Sequence, residues 1–353
     1  MKLKSLLRIL FLLVIFLIGF FYLNLPANEN SPLKGPTKTV PNTKVPEITG
    51  DASERPKAGW STYIGKDVQT LKEKLGEPVR KGPSQYGFKW WVYSTDQQYM
   101  LVGVSKGKIN QIYLTGTIAD FAPFTLNQTL DELYRNTITD TEVNIKIGES
   151  IYTLVLSEDD LQSRLLVMYD GVFAQLYFDK MNKTLMGIRF IDGETLVKQQ
   201  PYDMTYVGDM IETKKPSSFD QQKINNENAT QLFELSNRFR KTVELESFIE
   251  DEDVNIATRQ HLEGIVMESL ANTSAPETAL KKLLENNQIE FEDAAENIAE
   301  DYSDAADAMS GIINSDKHRK DLMNEKNTIL GVAAFEKNYA QIFIEREIPT
   351  TEE

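Results

Sequence analysis

The sequence predicts an α+β protein in three parts. These are an N-terminal membrane helix, a middle domain that duplicates a helix-plus-antiparallel-sheet unit, and a C-terminal domain of helices ending in antiparallel strands. Three observations carry this. An uncharged run from Ile9 to Leu23 follows a basic start. A short helix followed by strand-like runs occurs twice between residues 60 and 200. Helical periodicity after residue 229 gives way to strand-like runs at 329–335 and 339–347.

The first segment begins M-K-L-K-S-L-L-R and continues as I-L-F-L-L-V-I-F-L-I-G-F-F-Y-L. The uncharged stretch extends through Asn24 to Ala27, and at 1.5 Å per residue it covers roughly 28 Å, just enough for a bilayer core. Lys2, Lys4 and Arg8 precede it, which places the N-terminus in the cytoplasm and residues 24–353 outside. Leu25 is bulky two positions before Ala27, and no small-residue stretch closes the run, so residues 1–23 read as an uncleaved anchor rather than a removed signal peptide. Residues 24–58 carry Pro26, Pro32, Pro36, Pro41, Pro46 and Pro56 among polar residues. Proline removes a backbone donor and favours extended neighbours, and apolar residues are sparse. The expectation is a semi-extended linker holding the folded part about 50–100 Å from the membrane.

The middle domain is expected over 59–205. Val68, Leu71 and Leu75 share a helical face within 64–78, with Gly76 placed as a C-terminal cap and Pro78 as a stop. Aromatic Y-G-F-K-W-W-V-Y at 86–93 reads as a strand, and 99–114 as two strands joined at Lys106-Gly107. The pattern then recurs, with a short helix at 126–133 and strands at 152–156, 165–169, 173–178 and 185–191. Trp90 and Trp91 are adjacent in a strand, so one points into the core and the other to the outer face or a domain contact. Residues 206–228 are polar and read as a connector to a last domain over 229–348.

Composition limits the function. The chain has 353 residues, enough for two or three domains, and a formal net charge of −15. Such a surface repels phosphate polymers, which excludes nucleic acid as a partner. There is no cysteine. Neither a disulfide nor a lipidated cysteine anchor can form, and no thiol nucleophile is present.

Four stretches of the last domain carry more information together than alone. They are L-S-N-R-F-R at 235–240, A-A-E-N-I-A at 294–299, I-I-N-S-D-K-H-R-K-D-L-M-N at 312–324 and L-G-V-A-A-F at 330–335. In this order they resemble the CAP superfamily, the cysteine-rich secretory, antigen-five and pathogenesis-related proteins. The segment from about 60 to 200 resembles the CAP-associated N-terminal domain through I-G-K at 64–66, L-G-E-P at 75–78 and the aromatic strand at 86–93. The resemblance implies an α-β-α sandwich for the last domain and an extracytoplasmic protein of a Gram-positive envelope.

The resemblance also implies a surface cleft with two histidines and acidic side chains. Glu296 matches the family's E-N-I-A glutamate, and His318 matches the histidine of N-S-x-x-H-R, with Asn314, Ser315 and Arg319 beside it. Asn272 stands where a second histidine belongs. His261 lies one position off the family's helix pattern, which places Gln260 at the matching point. Glu296 and His318 are expected to meet, as a hydrogen-bonded pair or as a residual acid/base pair. One His, one Glu and one Asn make a poor zinc site, because an amide is a weak ligand for this ion, so no metal or cofactor is expected. Ser315 is expected to cap a helix. The acidic runs 250–253 and 290–304 lack EF-hand spacing and read as solvated faces. Two functions follow as expectations: a non-catalytic binding or scaffold protein at the cell envelope, with a protein or envelope partner, or a hydrolase of peptide or cell-wall material using Glu296 and His318.

Overall fold

The computed structural model describes residues 13, 28–36, 38–42, 53–137, 139–271 and 280–347. The candidate anchor 1–23 lies outside the described residues, Leu13 apart, and so does Asn272. Among the described residues no helix is long and apolar enough to cross a membrane.

The middle domain is built on a seven-stranded sheet and a smaller four-stranded one. Helix α1 (Val68–Leu75) ends at Gly76, as its pattern predicts, with Asp67 capping its start. Strands β4 (Arg80–Pro83), β5 (Lys89–Ser94), β6 (Gln98–Ser105) and β7 (Lys108–Gly116) follow as an antiparallel meander. The β6–β7 turn places Lys106 and Gly107 at φ 49° and 79°, the left-handed pair that a tight hairpin demands. A second helix, α2 (Leu130–Asn136), opens with a Thr129/Glu132 capping box. Strands β10 (Arg164–Tyr169), β11 (Val172–Asp179) and β12 (Thr184–Ile191) then form a second meander, which joins the first where β12 pairs with β7. The two helix-then-strand stretches therefore lie edge to edge in a single sheet.

Besides β4, four further α-helices and strands of the middle domain have no counterpart in the sequence reading. They are β8 (Glu142–Ile147), helix α3 (Glu158–Ser163), helix α4 (Gly193–Gln199) and β13 (Asp203–Val207), and β9 (Ser150–Val155) pairs with both β8 and β13.

The C-terminal domain is a layered sandwich. Helix α5 (Ser218–Thr242) starts inside the stretch expected as a connector. Its first turns are polar because they lie near the surface, and Glu227 and Glu234 hold both ends of the Arg80 guanidinium. Helix α6 (Glu252–Ala271) and helix α7 (Leu280–Asn286) cover one face of the sheet, through Val254, Ala257, Leu280 and Leu284 against Ala294, Ile329, Ile342 and Ile344. Helices α5, α8 (Ala305–Ile313) and α9 (Asp316–Leu322) cover the other, through Leu232, Leu235, Met309 and Leu322 against Ala295, Ala299, Val332 and Phe343. The central strands are β15 (Asp293–Glu300), β17 (Asn338–Glu345) and β16 (Ile329–Phe335), in that order, with the short β14 (Ile249–Glu250) beyond β16.

The acidic run 290–304 is not a solvated face. It contains β15 from residue 293, and Glu296 and Asp304 are buried. Alternation explains this, since every second side chain of a strand between two helix layers must enter one layer or the other.

Both domains share one core. Trp90, Val92, Tyr99, Leu101, Tyr113 and Tyr177 on the outer face of the middle sheet pack with α5 and α8. Trp90 is fully buried there, whereas Trp91 points back to its own domain's core, with Lys81 Nζ 4.1 Å from its ring centre.

The proline-rich segment is not a free spacer over its described length. Strand β1 (Asn28–Glu29) and strand β2 (Leu33–Lys34) add in parallel to the outer edge of β15, and β3 (Thr39–Pro41) adds in parallel to β13. Composition gave no sign of this, because strand addition is made by backbone groups. One extended segment thus crosses the edges of both domains.

Candidate functional site

The cleft residues are placed by the two faces of β15. Ala294, Glu296 and Ile298 face α6, whereas Ala295, Asn297 and Ala299 face the α8–α9 side. His261 on α6 comes to meet Glu296, with Nε2 3.0 Å from Oε1. The two side chains are within hydrogen-bond distance, and both are largely buried. Burial opposes protonation of His261, but Glu296, with Glu29 and Glu268, outweighs it and raises its pKa above 6.5.

His318 sits on α9, on the other side of the strand, and makes no ion pair with Glu296. Its Nδ1 is 2.9 Å from Ser315 Oγ, and its Nε2 makes no well-formed hydrogen bond. Burial and the neighbouring Lys317 push its pKa down to about 4, against the carbonyls of Ile298 and Ser31. The expected Glu296–His318 pair is thus replaced by Glu296–His261. Ser315 stands at the start of α9, but its hydroxyl turns to the imidazole instead of capping the helix.

Asn314 and Arg319 serve the domain contact. Asn314 Nδ2 donates to Phe178 O at 2.9 Å and its Oδ1 accepts from Lys180 N at 2.8 Å. Arg319 Nη2 donates to Asp179 Oδ2 at 2.9 Å, with its guanidinium over the Phe239 ring. The L-x-N-x-x-R residues are loop clamps. Asn237 exchanges hydrogen bonds with the backbone of Phe248, and Arg240 holds the carbonyls of Glu246, Leu322 and Asn324.

A larger polar cluster at the same interface was not foreseen. Arg189 Nη2 donates to Asp304 Oδ1 at 2.7 Å, and Tyr177 Oη donates to Asp307 Oδ1 at 2.7 Å. Arg164 Nη1 lies 3.7 Å from Asp307 Oδ2, and Ser303 also donates to Asp307. Arg189, Asp304 and Asp307 are all buried. Burial raises the pKa of Asp304, while for Asp307 burial is overcome by Arg189 and Arg164 and the carboxyl is held below its ordinary value. Asp304 caps the start of α8, a position that aspartate favours, but nothing in the sequence links that residue to Arg189.

Among the described residues no group of three or more His, Asp or Glu side chains is arranged to hold a metal ion. The residues beside this edge of β15 come from the N-terminal segment. Asn30 Nδ2 bonds Asp321 Oδ2 at 2.6 Å and Asn297 Oδ1 at 3.0 Å, with Glu296 O at 3.4 Å, and Glu29 Oε1 accepts from Leu280 N at 2.5 Å.

A sandwich with this strand order, and with the E-N-I-A strand and the N-S-x-x-H-R helix in these places, defines a CAP domain. The chain belongs to the CAP family. The profile of the cysteine-rich secretory protein family matches residues 233–343, and that of the CAP-associated N-terminal domain matches 64–202. Among curated proteins, the chain is 32% identical over 313 residues to the uncharacterized membrane protein YlbC of Bacillus subtilis (strain 168), covering 86% of this chain and 90% of that protein. Among solved structures it is similar to an extracellular protein containing an SCP domain from Bacillus anthracis str. Ames, at 32% identity and a TM-score of 0.76 over 86% of this chain and 100% of the other. A cysteine-rich secretory protein from Staphylococcus aureus subsp. aureus Mu50 matches at 25% identity and the same TM-score of 0.76, over 90% of this chain and 100% of that one.

Proposed function

We propose that the chain is a membrane-anchored, extracytoplasmic CAP-domain protein that acts as a non-catalytic binding or scaffold protein at the cell envelope. The observation that carries this reading is the separation of the two candidate catalytic residues. Glu296 is engaged by His261, while His318 lies on the other side of β15 with its Nδ1 against Ser315. General acid–base work needs both groups within reach of one substrate atom, with pKa values suited to the operating pH. An imidazole whose pKa is near 4 is neutral and weakly basic at the pH of most envelopes.

The location rests on the uncharged run at 9–27 and on two names. The Bacillus subtilis relative is named a membrane protein and the Bacillus anthracis neighbour an extracellular one. With residues 1–23 in the bilayer, the chain from residue 23 to residue 28 reaches at most about 18 Å, so the β15 edge stands close to the membrane surface.

The test is hydrolysis. The purified protein, its Glu296→Gln variant and its His318→Ala variant are incubated with peptide pools and with cell-wall fragments, and products are followed by mass spectrometry. No product above background is expected from any of the three. Product formation that either substitution abolishes would replace the scaffold reading with a hydrolase. Protease protection in intact cells checks the topology, with residues 28–353 expected to be cleaved from outside.

A further inference from the structure

The outer edge of β15 is an open strand edge beside the His261–Glu296 pair, and the chain fills it with its own N-terminal segment. Asn28 and Glu29 stand opposite Ala295 and Glu296, and Leu33 and Lys34 stand opposite Ala299 and Glu300. Gly35 N donates to Glu300 O at 2.8 Å.

Side chains add selectivity to this backbone pairing. The amide of Asn30 meets three acceptors, the carboxylate of Asp321, Oδ1 of Asn297 and the carbonyl of Glu296. That arrangement demands a short donor-bearing side chain and rejects a carboxylate. Leu33 packs on the shared apolar core, and Lys34 pairs with Glu300. At Gly35 a Cβ would come within 2.5 Å of the Asp301 carbonyl, so a larger residue cannot sit there without displacing the segment.

The hold is specific yet shallow. No side chain described between Glu29 and Pro36 is buried, and the paired stretches are two residues each. Segments with few buried apolar contacts and exposed backbone bonds open at a small fraction of the global unfolding cost. Strand addition of this kind is a known mode of peptide recognition, with the backbone giving affinity and alternate side chains giving specificity.

We propose that the β15 edge is a binding site for an extended peptide of the pattern Asn-x-x-apolar-basic-Gly, and that residues 28–36 are its resident, exchangeable occupant. An external peptide gains the site only when the resident segment is displaced. Because that segment immediately follows the expected anchor, tension or rearrangement at the membrane would act on the site directly. The external-ligand part rests on the binding-protein reading above, whereas the occupancy by residues 28–36 does not.

The experiment uses full-length protein in detergent and a fluorescent peptide with the sequence of residues 28–36. Binding is read by anisotropy for the parent, for Gly35→Val and for Asn30→Asp. Thermal melts verify that the variants stay folded, and Asn30→Asp serves if Gly35→Val does not. A resident competitor at millimolar effective concentration weakens external binding about 10- to 100-fold, so the variants should bind the peptide that much more tightly than the parent. A peptide carrying Asp in place of its Asn should bind the variants at least about tenfold more weakly. Equal affinity for parent and variants, or no binding to any of them, would overturn the proposal. So would a parent that runs as a dimer and becomes monomeric on Gly35→Val, which would assign the segment to a second copy. Mass spectrometry of the recovered peptide keeps the two readings apart. Intact peptide supports the non-catalytic reading, and cut peptide overturns that reading while leaving the site assignment in place.

Discussion

His261 Nε2 lies 3.0 Å from Glu296 Oε1, and this contact gives the chain's two histidines opposite chemistry. His261 titrates above 6.5 in the folded protein, and His318 titrates near 4. A raised folded pKa means that the His261–Glu296 contact stabilises the fold below about pH 6.5 and that this contribution is lost as pH rises through the folded value. A depressed folded pKa means the reverse for His318. Its neutral form suits the fold above about pH 6.5, and that contribution is lost as pH falls toward 4.

Glu296→Gln should therefore destabilise the protein more at pH 5.5 than at pH 8.5. Thermal melts of parent and variant across that range measure the difference, which should shrink as pH rises. A gap that stays constant with pH would mean that the His261–Glu296 contact carries no charge.

Arg189 is the cation of the buried cluster that faces both carboxyls, Asp304 at 2.7 Å and Asp307 at 4.0 Å, with Arg164 3.7 Å from Asp307. Arg189→Ala leaves the buried Asp304 without its cation and Asp307 with Arg164 alone, and should cost about 3–5 kcal/mol, because uncompensated buried charge is expensive. Denaturant unfolding reads this directly. A loss below about 1 kcal/mol would show that the carboxyls find other compensation.

Trp90 and Trp91 should behave differently despite being neighbours. Trp90→Ala opens a cavity in the core shared by both domains and should cost about 3–5 kcal/mol. It should also split one calorimetric transition into two. Trp91 is partly exposed over its own domain's core, so Trp91→Ala should lower stability less and keep a single transition. Equal effects would contradict the assignment of Trp90 to the domain interface.

Arg319→Ala tests whether the N-S-x-x-H-R motif holds the domains together. Hydrogen exchange should rise around 172–191, where Asp179 loses its arginine, and stay unchanged in α6. Exchange that rises instead at 252–271 would return Arg319 to the cleft.

Much of this fold is legible in the sequence where periodicity is strong. Gly76 stops α1, Lys106-Gly107 turns the β6–β7 hairpin, and Val68 and Leu71 are buried on one helical face. The site is less legible for physical reasons. One residue of helix register turns a side chain by about 100°, so placing Gln260 at the matching point hid His261, which the packing of α6 aims at Glu296. Strand β15 was hidden because alanine and glutamate have low strand propensity, and its residues are strand by burial between two helix layers. Arg189 and Asp304 are 115 positions apart, and only the packing of the two domains joins them. The docking of 28–36 is made largely by backbone groups, which composition does not encode.

The most direct measurement is the titration of the two imidazoles by nitrogen-15 nuclear magnetic resonance, with and without micromolar zinc. The chain has only two histidines, so each signal is assignable from one His261→Gln variant. Two independent titrations are expected, one above pH 6.5 for His261 and one near pH 4 for His318, and zinc should move neither. Coupled titrations, or zinc shifting both rings together, would place the two histidines in one site and contradict the separation on which the binding-protein reading rests.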